Sequence, residues 1–331
     1  MRVTVLGAGS WGTTVASVVA GAHETTLWAR RRELADEIDG QHVNRRYLDG
    51  FTLPASLRAT SDLAEAVGGA DVLVVGVPTA GLRNIMEEAR LHLRPWVPVV
   101  SLAKGFEQGS MLRMTQVIKE VLPGHPVAAL TGPNLAKEIM AGQAAAAVVA
   151  TEDQDVARAL QDVLHRARFR VYANHDVIGC EVAGALKNVI AIAAGMAEGL
   201  GVGDNTRAAV ITRGLNELTR LGVAMGGEPS TFSGLAGMGD LVATCMSPQS
   251  RNRHVGEQLG RGRPLADVLG EMTMVAEGVR TATTVMTLAE QHGVAMPICA
   301  TIHGVVTGAS TARTAYTGLL RLRPGHEDDP D

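Results

Sequence analysis

The sequence predicts an α/β protein, with a largely parallel sheet in an N-terminal domain followed by an all-helical C-terminal domain. Three observations predict it. The first half alternates short β-type runs with amphipathic helical patterns. Several of those runs are apolar throughout, as strands covered on both faces must be. Past about residue 175 the β-branched alternation stops and only helical periodicity remains.

In chain order, strands are expected at Val3–Leu6, Thr25–Trp28, Asp71–Val77, Val97–Leu102, Val127–Thr131, Ala145–Thr151 and Phe169–Tyr172. Helices are expected between them at Gly12–Ala20, Leu82–Leu91, Met111–Val121 and Gln154–His165. Strand alternating with helix is the pattern of parallel crossover units. Helices then follow at Ile178–Gly199, Thr206–Met225, Ser250–Gly260, Pro264–Leu269, Thr281–His292 and Cys299–Gly308. The expected domains are 1–175, 176–322 and a polar, frayed tail at 323–331.

At 331 residues the chain suits two domains, and 46% hydrophobic against 19% charged residues excludes the disordered class. A net charge of -4 gives no chain-wide basis for binding nucleic acid. Cys180, Cys245 and Cys299 lie far apart, so neither a metal cage nor a disulfide framework is expected. The N-terminus does not read as a signal peptide. The most apolar stretch, Val182–Ala197, is interrupted by Lys187 and Asn188. The expectation is a cytoplasmic protein without membrane insertion.

Gly7-Ala8-Gly9-Ser10-Trp11-Gly12 fits G-x-G-x-x-G between a strand and a helix, which is where that motif binds a dinucleotide. Gly7 permits the tight turn, Gly9 lets backbone approach a pyrophosphate, and Gly12 allows close helix–strand packing. The N-terminal domain is therefore expected to be Rossmann-like. An NAD site usually carries Asp or Glu at the end of the second strand, but here Trp28 is followed by Ala29-Arg30-Arg31-Arg32. Guanidinium groups pair with a 2′-phosphate, which favours NADPH, with NADH also within reach. Arg30 is the best placed of the three, and the sequence does not resolve which one makes the contact.

Between Glu181 and Glu198 the only polar side chains are Lys187 and Asn188. A helix apolar on every side is buried, and a buried lysine needs a partner. Lys187 either snorkels past small neighbours to water or serves as a site lysine. As a site residue it would donate a proton to a carbonyl oxygen during hydride reduction, with Asn188 as a positioning hydrogen-bond group. Asp240 follows a glycine-rich run and reads either as a helix cap or as the partner of Lys187. Thr244 is four residues further on.

With these, Ser101-Leu-Ala-Lys104-Gly105, Thr131-Gly132-Pro133-Asn134-Leu-Ala136-Lys137-Glu138, Leu186-Lys187-Asn188, Gly237-Met-Gly239-Asp240 and Ser250-Arg251-Asn252 occur in order. Over nearly its whole length the chain resembles the bacterial NAD(P)-dependent glycerol-3-phosphate dehydrogenases. The resemblance implies reduction of dihydroxyacetone phosphate to sn-glycerol 3-phosphate, the backbone of phospholipids. It implies Lys187 as proton acceptor in the oxidative direction. It implies substrate contacts at Lys104, Gly132, Asn134, Lys187, Asp240, Ser250, Arg251 and Asn252. Its cofactor contacts fall on Ser10, Trp11, Arg30, Arg31, Lys104, Ala136, Arg251, Val275 and Glu277. Position 134 often carries a hydroxyl residue in relatives.

The same residues make chemical sense alone, since Ser250-Arg251-Asn252 opens a helical pattern and offers a guanidinium and a positive dipole end to a phosphate. The implied partner is a small phosphorylated molecule; nucleic acid is not implied, and a homodimer is compatible with the reading. A β-hydroxyacid or 6-phosphogluconate type dehydrogenase would share the plan. A regulator that only senses NADPH would need no proton donor.

Overall fold

The computed structural model describes residues 1–272 and 274–319; the tail expected at 323–331 lies outside them. The chain divides into two compact units, Met1–Val177 and a second that begins at Ile178.

The first unit holds one eight-stranded sheet: β1 (Arg2–Leu6), β2 (Glu24–Trp28), β3 (Leu57–Thr60), β4 (Val72–Val75), β5 (Val99–Ser101), β6 (Val127–Thr131), β7 (Ala145–Ala150) and β8 (Phe169–Asn174). The helices of this unit are α1 (Ser10–Ala20), α2 (Arg32–Gln41), α3 (Arg45–Leu48), α4 (Leu63–Gly68), α5 (Thr79–Ala89), α6 (Met114–Val121), α7 (Ala136–Met140) and α8 (Gln154–Leu164). The strand order is β3-β2-β1-β4-β5-β6-β7-β8. Every neighbouring pair is parallel except β6 with β7. A largely parallel sheet was expected and is found.

Strand β4 reads Val-Leu-Val-Val and all four residues are buried. Alternate side chains of the central strands enter two separate apolar clusters. Val3, Val5, Val72 and Val74 pack with Val15 and Val19 of α1 on one face. Leu6, Leu73, Val75 and Val99 pack with Met86 of α5 and Ile118 of α6 on the other. Helices on both faces explain why these strands show no polar alternation.

Strand order reverses at β1 and β4, and the crevice at the carboxyl ends of such strands is where open α/β sheets bind ligands. Gly7 leaves β1 there with φ 109°. A Cβ on Gly7 would lie 2.7 Å from the Gly76 carbonyl oxygen, and one on Gly12 would lie 2.0 Å from that of Gly7. Only glycine closes this corner.

Two expectations need correction. Helix α6 starts at Met114, three residues later than the pattern predicts, because Met111 takes a left-handed φ of 61° and Arg113 forms the cap. Strand β3 and helices α2 to α4 were not anticipated. Each is short, and Leu57-Arg-Ala-Thr60 at the sheet edge has too little periodicity to stand out.

Among its described residues the second unit contains helices and no strand. They are α9 (Val177–Gly199), α10 (Asp204–Ala224), α11 (Pro229–Ser233), α12 (Asp240–Met246), α13 (Arg251–Gly260), α14 (Leu265–Glu271), α15 (Glu277–His292), α16 (Pro297–Val306) and α17 (Ala312–Leu319), with a π-helical turn at Leu235–Gly239. Helix α9 is long and apolar enough to cross a bilayer by length and composition, but its side chains are buried in this unit. It packs backbone to backbone on α13. A Cβ on Gly195 would lie 2.0 Å from the Arg253 carbonyl oxygen, and one on Gly256 would lie 2.0 Å from that of Ile192.

Candidate active site

In the first unit, the N-terminus of α1 has no side-chain cap. A Cβ added to Gly9 would meet nothing within 4 Å, so the backbone there is open to close approach. Open backbone before an uncapped helix start is what a pyrophosphate requires, and these residues fit a dinucleotide. Ser10 Oγ donates to the Tyr47 carbonyl at 2.8 Å. The Trp11 ring meets Phe169 edge-on with centroids 6.0 Å apart.

At the end of β2, Arg30 and Arg31 are exposed, and neither has an ion pair or a side-chain hydrogen bond among the described residues. Arg32 lies 3.7 Å from Asp36. Two guanidinium groups thus stand ready for an anion where NAD-selective sites carry a carboxylate.

Beyond β5, Lys104 Nζ donates to the Gly132 carbonyl at 3.0 Å, which joins two of the expected contact residues. Gly132 itself leaves β6 with φ 119°, and a Cβ there would press on Ala147. Asn134 precedes α7, whose first residue is Ala136. Both polar atoms of the Asn134 amide are buried without a hydrogen-bond partner among the described residues. Buried amides left unpaired are costly, so this one calls for a ligand or water.

In the second unit, Lys187, Asp240 and Thr244 come together, all buried. Lys187 Nζ donates to Asp240 Oδ1 and, at 2.7 Å, to Thr244 Oγ1. Thr244 donates its own proton to the Asp240 carbonyl at 2.6 Å, one helical turn back, which leaves its lone pairs for the ammonium. The π-helical turn delivers Asp240 as the first residue of α12, so its carboxylate serves Lys187 and is not a helix cap. The amine is buried and paired, so it does not snorkel past its small neighbours to water. Cys245, next along α12, is buried in the same region, and burial pushes its thiol up to about 12.

Ser250 caps α13 by accepting from the Arg253 N–H at 3.2 Å. Arg251 Nη1 donates to the Val275 carbonyl at 2.8 Å. Crowding lowers the Arg251 pKa by desolvation, and the Glu277 carboxylate opposes the shift. Asn188 and Asn252 are joined by a hydrogen bond of 2.9 Å from Asn252 Nδ2 to Asn188 Oδ1. Asn252 Oδ1 in turn accepts from Gly278 N at 2.9 Å.

Two family models match the chain. The N-terminus of NAD-dependent glycerol-3-phosphate dehydrogenase matches residues 2–157, and its C-terminus matches residues 176–317. The chain belongs to this family.

A glycerol-3-phosphate dehydrogenase (NAD(P)+) of Sphingopyxis alaskensis is 59% identical over 100% of this chain and 99% of its own. One from Mycobacterium avium is 54% identical over 98% of this chain and 96% of its own. The crystal structure of a glycerol-3-phosphate dehydrogenase from Coxiella burnetii has a TM-score of 0.93 at 35% identity, covering 97% and 99% of the two chains. The hydroxyacid, 6-phosphogluconate and sensor alternatives fall away against this match.

Sequence reasoning missed Gly278 and the buried carboxylate of Glu217. Gly278 left no signal, being one glycine just inside a helix start. Glu217 sits on α10 with an ordinary polar pattern around it, and only the fold shows that its carboxylate accepts from Ile298 N at 2.6 Å and Cys299 N at 3.1 Å.

Proposed function

We propose that Lys187 is the proton donor of this NAD(P)-dependent dehydrogenase as it reduces dihydroxyacetone phosphate to sn-glycerol 3-phosphate. The observation that carries the assignment is the buried ammonium held jointly by a carboxylate and a hydroxyl. When bound, the nicotinamide supplies the hydride. The ketone oxygen then gains negative charge, and an ammonium fixed in a water-poor setting both stabilises that charge and gives up a proton to it. Asp240 and Thr244 hold the amine in one orientation, so little reorganisation remains for the reaction step. In the oxidative direction Lys187 takes the proton back.

The phosphate falls to the start of α13. Ser250 accepts with its oxygen as the cap, so its hydroxyl hydrogen remains to donate. Arg251 adds a charge, and the first-turn N–H groups add a positive dipole end. Gly7, Gly9, Ser10, Trp11, Gly12, Arg30, Arg31 and Ala136 are assigned to the nucleotide, and Lys104, Gly132 and Asn134 to the substrate. Val275 and Glu277 support Arg251 and are assigned to the nucleotide with it. The reading places the enzyme in the cytoplasm, supplying the backbone for glycerophospholipids.

The test is NADPH oxidation with dihydroxyacetone phosphate, comparing wild type with Lys187→Ala. Loss of the donor is expected to lower turnover by about 10²–10⁴-fold, while nucleotide binding, followed by fluorescence titration, is retained. Near-normal turnover by the variant would remove Lys187 from the role.

A further inference from the structure

The glycine turn of the first unit is held from behind by one buried amide. Asn44 lies 36 positions beyond Ala8 and caps α3, with its side-chain oxygen accepting from Tyr47 N at 3.1 Å. A backbone N–H can only donate, so the oxygen of the Asn44 amide must face it. The two hydrogens of Nδ2 then serve the glycine turn and α1. One goes to the Ala8 carbonyl at 3.0 Å and the other to Thr13 Oγ1 at 2.9 Å. Asn44 and Thr13 are each 0% exposed, so water does not compete for these bonds. The same segment meets the turn a second time, where the Tyr47 carbonyl accepts from Ser10 Oγ.

The Ala8 carbonyl matters for what lies on the other side of its peptide. That peptide is trans and planar, so the Ala8 C=O and the Gly9 N–H point in opposite directions. With the carbonyl drawn to Asn44, the Gly9 N–H is directed away from it. This N–H has no acceptor among the described residues, and a Cβ on Gly9 would meet nothing within 4 Å. Gly9 sits at φ -73° and ψ 175°. Glycine accepts φ of either sign, so nothing in Gly9 itself stops this peptide from turning over. Turned over, it would present a carbonyl oxygen to the pyrophosphate in place of a donor.

We propose that Asn44 is a positioning residue for the nucleotide: by holding the Ala8 carbonyl it fixes the Gly9 N–H as a donor to the pyrophosphate. The proposal rests on the assignment of Gly9 to the nucleotide. Asn44 is fully enclosed and acts only through the peptide between Ala8 and Gly9. The pyrophosphate is common to NADPH and NADH, so the device serves both alike, unlike Arg30 and Arg31.

The bonds of Asn44 can be cut separately. Thr13→Val removes one acceptor and leaves Ala8 held. Asn44→Asp keeps an acceptor for Tyr47 N, but an ionised carboxylate has no hydrogen to give the Ala8 carbonyl. Asn44→Leu removes that donor without adding a charge. Dissociation constants for NADPH and NADH, read by fluorescence titration, are expected to rise about tenfold or more in both Asn44 variants, the loss of a hydrogen bond to a charged group. The ratio between the two nucleotides, and KM for dihydroxyacetone phosphate at saturating nucleotide, are expected to stay within about twofold. Thr13→Val is expected to leave both dissociation constants within about twofold while it lowers the melting temperature. A purely structural amide would make affinity follow melting temperature across all three variants, and that result overturns the proposal. An effect confined to Asn44→Asp would be repulsion by the new charge, and it overturns the proposal too. Wild type covers the case in which neither Asn44 variant folds. Its Gly9 amide resonance, followed by NMR, is expected to shift when NADPH binds, and an unmoved resonance overturns the proposal. Unchanged nucleotide affinity in folded Asn44 variants, beside normal wild-type turnover, would remove Asn44 from the role and leave the function standing.

Discussion

Lys187 is enclosed by aliphatic and small side chains from Val182 to Ala197, and Asn188 is its only polar neighbour in that stretch. Its amine depends on Asp240 and Thr244. Replacing Thr244 by valine keeps the shape and removes one acceptor, so kcat should fall by about tenfold with the fold intact, which steady-state kinetics and a thermal melt would show together. Cys245 offers an independent check on the dryness of this region. Burial pushes its thiol up to about 12, and only a thiolate reacts, so native enzyme at pH 8 should resist alkylation at Cys245 while unfolded enzyme does not. Labelling of Cys245 in the native state, read by mass spectrometry, would contradict the closed packing. At this scale the sequence was legible wherever chemistry breaks a pattern: a lysine in an apolar helix, or arginines where a carboxylate belongs. It was silent on Gly278, whose backbone N–H matters and whose side chain does not exist.

Helices meet by their least conspicuous residues. Gly195 and Gly199 of α9 face Gly256 and Gly260 of α13, and the axes approach until carbonyl oxygens occupy the space a methyl group would need. Gly256→Ala should therefore destabilise the second unit by about 1–3 kcal/mol, visible as a lower melting temperature. Because α13 carries Ser250, Arg251 and Asn252 at its start, a weaker affinity for substrate should accompany it. Helix α16 is held differently, by the Glu217 carboxylate accepting at its first turn. Burial raises the Glu217 pKa above its ordinary 4.5, with the two backbone N–H groups opposing the shift. A carboxyl that is a weaker acid when folded binds its proton more tightly in the native state. Its contribution to stability is thus full below the unfolded value and declines as pH rises through the folded one. Wild type should accordingly lose melting temperature relative to Glu217→Gln as pH is raised from about 4.5 towards neutrality, and a difference that is flat with pH would rule this out. The glycine turn after β1 could be read from sequence because each glycine answers a local demand. The pairings of α9 with α13 and of Glu217 with α16 join residues far apart in the chain, and no local pattern encodes them.

The two units divide the chemistry in a way that kinetics can separate. Nucleotide recognition is assigned mainly to residues of the first unit, and proton transfer and phosphate binding mainly to the second. Changes at the nucleotide residues of the first should register in KM for the nucleotide, and changes around Lys187 in kcat. The sharpest case is the end of β2, where Ala29-Arg30-Arg31 replaces the expected carboxylate and neither guanidinium is engaged by a protein anion among the described residues. A 2′-phosphate there would gain charge-assisted hydrogen bonds, each worth about 1.5–3 kcal/mol. NADH has a hydroxyl at that position and would gain little. Replacing Arg30 and Arg31 together by alanine should raise KM for NADPH by roughly ten- to a hundredfold and leave KM for NADH within about twofold, since the lost bonds are specific to the phosphate. The gap between the two cofactors should also narrow as salt is added to wild type, because exposed charges are screened over about 10 Å at 0.1 M ionic strength. Equal loss with both nucleotides would show that the arginines act on a part of the cofactor that NADH shares. In that case the preference for NADPH would have to come from elsewhere in the first unit.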